Sequence, residues 1–216
     1  MGTVRGRGLR VLAGQLGHPR GVLGRLVGRL LNRRNARNIA AAVEALDPVP
    51  GANLADLGFG GGIGLRLLLD RATPGGRVHG VDRSATMLAA AARRFEPELS
   101  SGRLHLQQGS LERLPLPDGV LDGAITLNTI YFLAELDPAF AEFRRILKPT
   151  ARMVVGLADP VAMAGMPVTS HGFRLRPVEE VVADLARAGL RVIEDRRVGE
   201  GAQAYHLLVA SPQAPR

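Results

Sequence analysis

Apolar and polar positions along this chain change period many times, and each change marks an element. NLADLG (53–58) is an apolar run of strand length, and GIGLRLLLDRA (62–72) repeats its leucines at helical spacing. GRVHGVD (76–82) predicts a second strand, SATMLAAAARRF (84–95) a helix with Ser84 at its N-cap, and RLHLQQG (103–109) a third strand. VLDGAITLN (120–128) is apolar enough to be a strand at the centre of a sheet. AELDPAFAEFRRIL (134–147) is helical and ends at Lys148-Pro149, before a fifth strand in ARMVVGLA (151–158). A loop rich in Met, Gly and Pro runs from Asp159 to about Leu175. PVEEVVADLARAG (177–189) then has proline at its start and glycine at its end, as helices do. LRVIEDRRV (190–198) and AQAYHLLVAS (202–211) are adjacent strands joined by GEG, which suits a hairpin.

Alternating strand and helix units predict an α/β fold with a seven-stranded, mostly parallel sheet and helices on both faces. The final hairpin adds one antiparallel strand. Upstream, residues 1 to about 20 read as loop. Leu23, Leu26, Val27, Leu30 and Leu31 then follow helical spacing, with Arg25, Arg29 and Arg33 on another face, through NIAAAVEAL (38–46) to Asp47-Pro48. The expected organisation is a basic N-terminal arm with amphipathic helices at 1–46, part of the same domain, and a main domain at 47–212. The arginine stripe is either a solvated face or a lid or membrane-facing surface.

Composition narrows this picture. The 216 residues are 46% hydrophobic, enough for one domain with a full core. No apolar run reaches the roughly 18 residues of a membrane span. The absence of cysteine excludes disulfides, thiolate metal sites and a cysteine nucleophile, and fits a cytoplasmic protein. The formal charge is +8, yet nine arginines and no acid precede Glu44, so the excess belongs to the arm. Aromatics are 4% and tryptophan is absent, so stacking surfaces for single-stranded nucleic acid are scarce.

The chemistry concentrates in LADLGFGGGIGL (54–65), where five glycines fall within seven residues between a strand and a helix. Glycine permits dihedrals and close approaches that a Cβ would block, and a helix N-terminus offers free N–H groups. The dinucleotide fingerprint needs a glycine where Ile63, Leu65 or Leu67 stands in the three available registers. A phosphate loop needs Gly-Lys-Ser/Thr, and the only lysine is Lys148. The pattern that fits is acidic-x-Gly-x-Gly-x-Gly, at Asp56, Gly58, Gly60 and Gly62.

With HGVDRS placing Asp82 at the end of the second strand, QQGSLERLPLPDGVLDGAITLNTIYF downstream, and FRRILKPTARMVVG after that, the chain resembles the class I, Rossmann-like S-adenosylmethionine-dependent methyltransferases. The likeness is to the small type 11 group related to ubiquinone-biosynthesis methyltransferases, and covers roughly residues 35 to 210. It implies that Gly58, Phe59, Gly60 and Gly62 lie against the cofactor's methionine part, and that Asp82 accepts from both ribose hydroxyls. Arg83 and Met87 would flank the adenine, Ser110 and Leu111 reach its edge, and Asn128 sit beside the reacting end. The family commonly carries Asp at the position of Ser110. Asp56 either touches the cofactor or stands as a helix-proximal acid, and Met87 is either wall or core.

The implied cofactor is S-adenosyl-L-methionine, whose sulfonium already activates the methyl group. Candidates to orient or deprotonate an acceptor are Tyr131, which the resemblance turns toward the pocket, and His171 in the loop after the fifth strand; His18 is a third. No spaced His/Asp/Glu cluster suggests a metal. His79, His105 and His206 sit within strand patterns and read as structural, and Glu135 as an acid at a helix start. The arm before Asn38 and the segment DPVAMAGMPVTSHGF (159–173) suit a lid over a small, fairly apolar acceptor. The expected activity is methyl transfer to an O, N or C atom of such a molecule, in a bacterial secondary pathway. Methylation of RNA or protein, and a non-catalytic cofactor-binding or membrane-associated protein, are the competing functions. Asn128-Thr129-Ile130-Tyr131 lacks the prolines of base-methylating relatives, which disfavours a nucleic-acid partner.

Overall fold

The computed structural model describes residues 35–164 and 173–213. His18, the arm before residue 35 and His171 lie outside the described residues, as does most of the expected second lid. Residues 35–46 are helical and form α1. There follow β1 (Asn53–Leu57), α2 (Ile63–Arg71), β2 (Arg77–Asp82), α3 (Ala85–Arg94), α4 (Glu96–Ser100), β3 (Leu104–Gln108) and β4 (Leu121–Leu127). The second half comprises α5 (Asp137–Ile146), β5 (Leu147–Ala158), α6 (Pro160–Ala164), α7 (Val178–Arg187), β6 (Leu190–Val198) and β7 (Tyr205–Pro212).

Seven strands form one sheet in the order β3-β2-β1-β4-β5-β7-β6. The pairs among β1 to β5 are parallel, and β7 runs antiparallel to both β5 and β6. The order reverses between β1 and β4, where the chain leaves β1 first for one side of the sheet and later for the other. A crevice outside the C-terminal strand ends at such a reversal is where open α/β sheets bind ligands.

Period-two alternation divides the core into two layers. Leu54, Ile125, Val154, Leu207 and Val209 face one side, packed with Val43 and Leu46 of α1, Leu65 and Leu68 of α2, and Phe95. Ala55, Leu57, Ala124, Met153, Val155 and Leu208 face the other, against α5 and α7. On α5, Ala139, Phe140, Phe143 and Ile146 form the buried stripe, and each large member stabilises by roughly 1.5–3 kcal/mol. The Ser84 hydroxyl caps α3 by accepting from Met87 N at 3.4 Å, as its sequence position predicts.

Three features depart from the sequence reading. The loop after β5 opens with the short helix α6, α4 follows α3 almost directly, and β5 starts at Leu147 rather than after Lys148-Pro149. The early start is possible because pairing with β4 is irregular there: Leu121 matches Leu147 and Gly123 matches Arg152. Proline is tolerated at such bulges, where no ladder hydrogen bond is required of it.

Candidate active site

The glycine loop crosses the C-terminal end of β1 and enters α2. Gly58, Gly60 and Gly62 all have positive φ, at 78°, 49° and 77°. Side chains rarely adopt this conformation, so the loop's shape requires glycine. At Gly58 space imposes a second requirement, because a Cβ there would stand 2.5 Å from Thr129 Cγ2. The methyl group of Thr129, just beyond β4, therefore rests on the loop's first glycine.

Asp82 ends β2 and ties this loop down. Its Oδ2 accepts from Gly60 N at 2.9 Å and its Oδ1 from Ser84 N at 2.8 Å, while Gly58 N donates to Val81 O at 2.7 Å. A carboxylate accepts only, and can take several donors at once. Asp82 is 7% exposed and faces the cavity. This is the arrangement a diol requires: a fixed, acceptor-only group already held by backbone.

The cavity lies between the loop, the ends of β2 and β3, and the turn after β4. Gly58, Phe59, Gly60, Asp82, Arg83, Met87, Ser110, Leu111 and Asn128 all line it. Gly62 does not; it caps α2, facing the ring of Phe95. Asn35 lies in the arm expected to cover the pocket, while Ile39 of α1, Glu112, Thr129, Phe132 and Leu133, which also line it, were not singled out from the sequence. Glu112 and Thr129 stand next to residues that were named.

Asn128 holds φ at 58°, unusual for a residue with a side chain and best tolerated by Asn. Its N–H donates to Gly156 O at 2.9 Å, which locks the strained turn at the cavity edge. Beside it the Thr126 hydroxyl donates to Leu57 O at 2.8 Å and lies 2.7 Å from Thr129 Oγ1. Since Thr126 has one proton, Thr129 supplies the other, and a hydroxyl chain joins the turn to β1.

Tyr131 lies elsewhere than the sequence reading puts it. It is buried outside the cavity wall, where its hydroxyl accepts from Ala158 N and its ring lies 5.7 Å from that of Phe173. Burial pushes its phenol well above the ordinary range, against use as a proton acceptor. The reason is the 3₁₀ turn Ile130–Phe132, which turns Tyr131 into the core and gives Phe132 to the cavity.

That turn is held from a distance. Arg176 donates to Ile130 O at 3.1 Å, Leu133 O at 2.9 Å and Ala134 O at 2.9 Å. Arg174 adds Nη1 to Ala134 O at 3.0 Å and its own N–H to Tyr131 O at 2.9 Å. The Phe173 ring lies 4.9 Å from Phe132. The loop bearing Ser110 and Leu111 is fastened likewise, by Arg145 to Leu114 O and Leu116 O and by Glu142 to Leu114 N.

His79, His105 and His206 line no part of the cavity. His79 and His105 stack on neighbouring strands, with centroids 5.3 Å apart. His206 is buried, its ring nitrogens 2.9 Å from Asp195 Oδ2 and 3.3 Å from Asp159 Oδ2. Glu135 is exposed ahead of α5.

Comparison with known proteins bears on the fold. Residues 55–155 match the family model described as a methyltransferase domain. The chain is 36% identical over 115 residues to the ubiquinone/menaquinone biosynthesis C-methyltransferase UbiE of Syntrophotalea carbinolica, covering 53% of this chain and 47% of that protein. It is 27% identical over 169 residues to the uncharacterized methyltransferase YdaC of Bacillus subtilis, covering 78% of this chain and 88% of that one. For several curated relatives, UbiE among them, the chain spans less than half their length. A solved geranyl diphosphate methyltransferase in complex with S-adenosylmethionine shares the fold, with a TM-score of 0.69, 18% identity, and coverage of 92% of this chain and 94% of that one. Residues 55–155 therefore match a methyltransferase domain, and the fold is that of solved S-adenosylmethionine-dependent methyltransferases.

Proposed function

We propose that this chain moves the methyl group of S-adenosylmethionine to an O, N or C atom of a small, fairly apolar acceptor. The observation that supports this best is the composition of the cavity. One part of the wall is a glycine loop with a backbone-held acid, another is Thr129, Phe132 and Leu133, and among the described lining residues Arg83 is the one cation. The bound cofactor supplies an activated methyl group on its sulfonium.

The protein's contribution is then position. Asp82 takes the ribose diol, the loop's bare backbone admits the methionine part, and Met87, Arg83, Ser110 and Leu111 border the adenine. Asn128, held in its strained turn, fixes the near edge of the acceptor space, and Phe132 and Leu133 exclude water from it. Much of a transfer rate can come from holding two reactants in line, worth roughly 7–11 kcal/mol in favourable cases. Among the described residues, the ionisable groups on the cavity wall are Asp56, Asp82, Arg83 and Glu112. Neither histidine nor tyrosine is among these described wall residues, whose carboxylates can take a proton from the acceptor.

Incubation with labelled S-adenosylmethionine and an extract divided into small-molecule, RNA and protein fractions tests the reading. Label is expected in the small-molecule fraction. Label confined to RNA or protein overturns the acceptor class, and S-adenosylmethionine that does not bind overturns the whole.

A further inference from the structure

A buried histidine stands between two acids, next to the strand end that holds Tyr131. His206 of β7 is 1% exposed and shares a sheet face with Leu208, the face that packs against α5 and α7. Its Nδ1 lies 3.0 and 2.9 Å from the two oxygens of Asp195 on β6, and its Nε2 lies 3.3 Å from Oδ2 of Asp159, just after β5. An ionised carboxylate only accepts, and a neutral imidazole has a single N–H. Acids facing both ring nitrogens therefore call for two ring protons and a positive charge. A neutral ring would set a bare lone pair against one of the carboxylates, and the two would repel.

The other charged groups that face this ring come from β6 and from the start of α7. Arg197 stands opposite His206 in the ladder, and Arg176 and Glu179 line the same cavity as Asp159, Asp195 and His206. Arg176 is spent on the carbonyls of Ile130, Leu133 and Ala134. β5 places Leu157 at the position paired with His206 and adds no charge.

Asp159 joins this cluster to the turn Ile130–Phe132. Its Oδ1 caps α6 by accepting from Val161 N at 2.9 Å and Ala162 N at 3.1 Å, while Oδ2 faces His206. The preceding residue, Ala158, donates its N–H to the Tyr131 hydroxyl, and Arg174 N donates to Tyr131 O at 2.9 Å. The end of β5 is pinned by the histidine on one side and pins the turn on the other. The Ala162 N–H first, and then His206, hold the Asp159 carboxyl below its ordinary range. It therefore keeps its charge where histidines change theirs.

We propose that Asp159, His206 and Asp195 form a proton-operated clasp on the turn that carries Phe132, closed around an imidazolium and opened when the ring gives up a proton. The longer contact, from Nε2 to Asp159, is the one that yields, and α6 and the end of β5 loosen with it. The closed form binds one proton more than the open form, so rising pH favours opening. That this turn bounds the acceptor space rests on the reading of the cavity given above; the clasp itself does not.

Nuclear magnetic resonance of the full chain with nitrogen-labelled histidine is the test, scanned across the range of about pH 5 to 8 in which histidines change charge and about one unit beyond. The His206 ring signals, assigned by their absence from His206→Gln, are expected to show two ring protons at the acid end and one at the alkaline end. Protection of the Val161, Ala162 and Arg174 amides against hydrogen exchange, corrected for the intrinsic effect of pH, is expected to fall at least about tenfold over the scan. Asp159→Asn keeps a cap for α6 and can either accept from the ring or donate to it, so its protection is expected to stay flat. Its affinity for S-adenosylhomocysteine at one pH is expected to lie within about twofold of the unaltered protein's. One ring proton throughout, two throughout, or a proton lost without a change in protection overturns the clasp. A loss of S-adenosylhomocysteine affinity of about tenfold or more in Asp159→Asn overturns its confinement to the turn. If neither protein binds S-adenosylhomocysteine, the cofactor reading fails, and the ring and amide signals still decide the clasp.

Discussion

The two walls of the cavity are held over different spans of the chain. On the wall proposed for the cofactor, Asp82 is only 22 residues from Gly60, and its carboxylate fixes the loop by accepting from Gly60 N. On the acceptor wall, backbone is itself held by side chains, since Arg176 reaches 42 to 46 residues back to the carbonyls of Ile130, Leu133 and Ala134. The first wall is local, and its residue types are dictated by dihedrals and lone pairs. The second is shaped by a segment that can change without disturbing the first. A fold divided in this way can keep one cofactor while its acceptor varies, consistent with function residing in sites grafted on a scaffold.

The largest effect that would break this contrast lies on the cofactor wall. Asp82→Ala removes the diol acceptor and releases Gly60 N and Ser84 N together. Affinity for S-adenosylmethionine is expected to fall at least about 100-fold, or roughly 2.7 kcal/mol, by calorimetry. Unchanged affinity removes Asp82 from the site and leaves the local wall without its anchor.

Next comes its counterpart. Arg176→Ala removes three hydrogen bonds to the carbonyls of this turn and is expected to cost about 1–3 kcal/mol in urea unfolding, with cofactor affinity within about twofold of the unaltered protein. A loss of cofactor binding as deep as that of Asp82→Ala would show that the walls are one unit. Smaller again is Tyr131→Phe, which leaves Ala158 N without its acceptor and is expected to cost about 1–2 kcal/mol of stability. Stability unchanged by that substitution would mean that the hydroxyl has another task. Transfer to the acceptor is expected to suffer more than cofactor binding in both variants, because both act on the turn that carries Phe132.

The same contrast explains what could be read from the sequence. β6 occupies Leu190–Val198, the span its pattern predicts, and Ser84 caps α3, because both signals are local. The glycine register and the position of Asp82 at a strand end were legible for the same reason. α4, α6 and the 3₁₀ turn Ile130–Phe132 are three to five residues long, shorter than a period needs to declare itself. The side on which Tyr131 faces depends on that turn, and so could not be read from NTIYF. Arg174 and Arg176 carry no signal in the sequence, because their partners are carbonyls, which no residue type announces.

Thr129 stands where the walls meet, and it sharpens the contrast most finely. Its methyl rests on Gly58 and its hydroxyl donates toward Thr126, which donates to Leu57 O. Thr129→Ser keeps the hydroxyl chain and removes only the methyl, so a cost of about 1 kcal/mol in unfolding is expected from the lost packing. Cofactor affinity should weaken by only a few-fold, since Gly58 gains room without losing its hydrogen bond to Val81 O. Thr129→Val makes the complementary change, keeping the methyl and breaking the chain, and is expected to spare affinity while costing about 0.5–1.5 kcal/mol of stability. If Val rather than Ser weakens the cofactor, the turn speaks to the loop through its hydroxyl chain and not through its packing. The seam between the walls would then be polar, and the acceptor turn could influence the cofactor through β1.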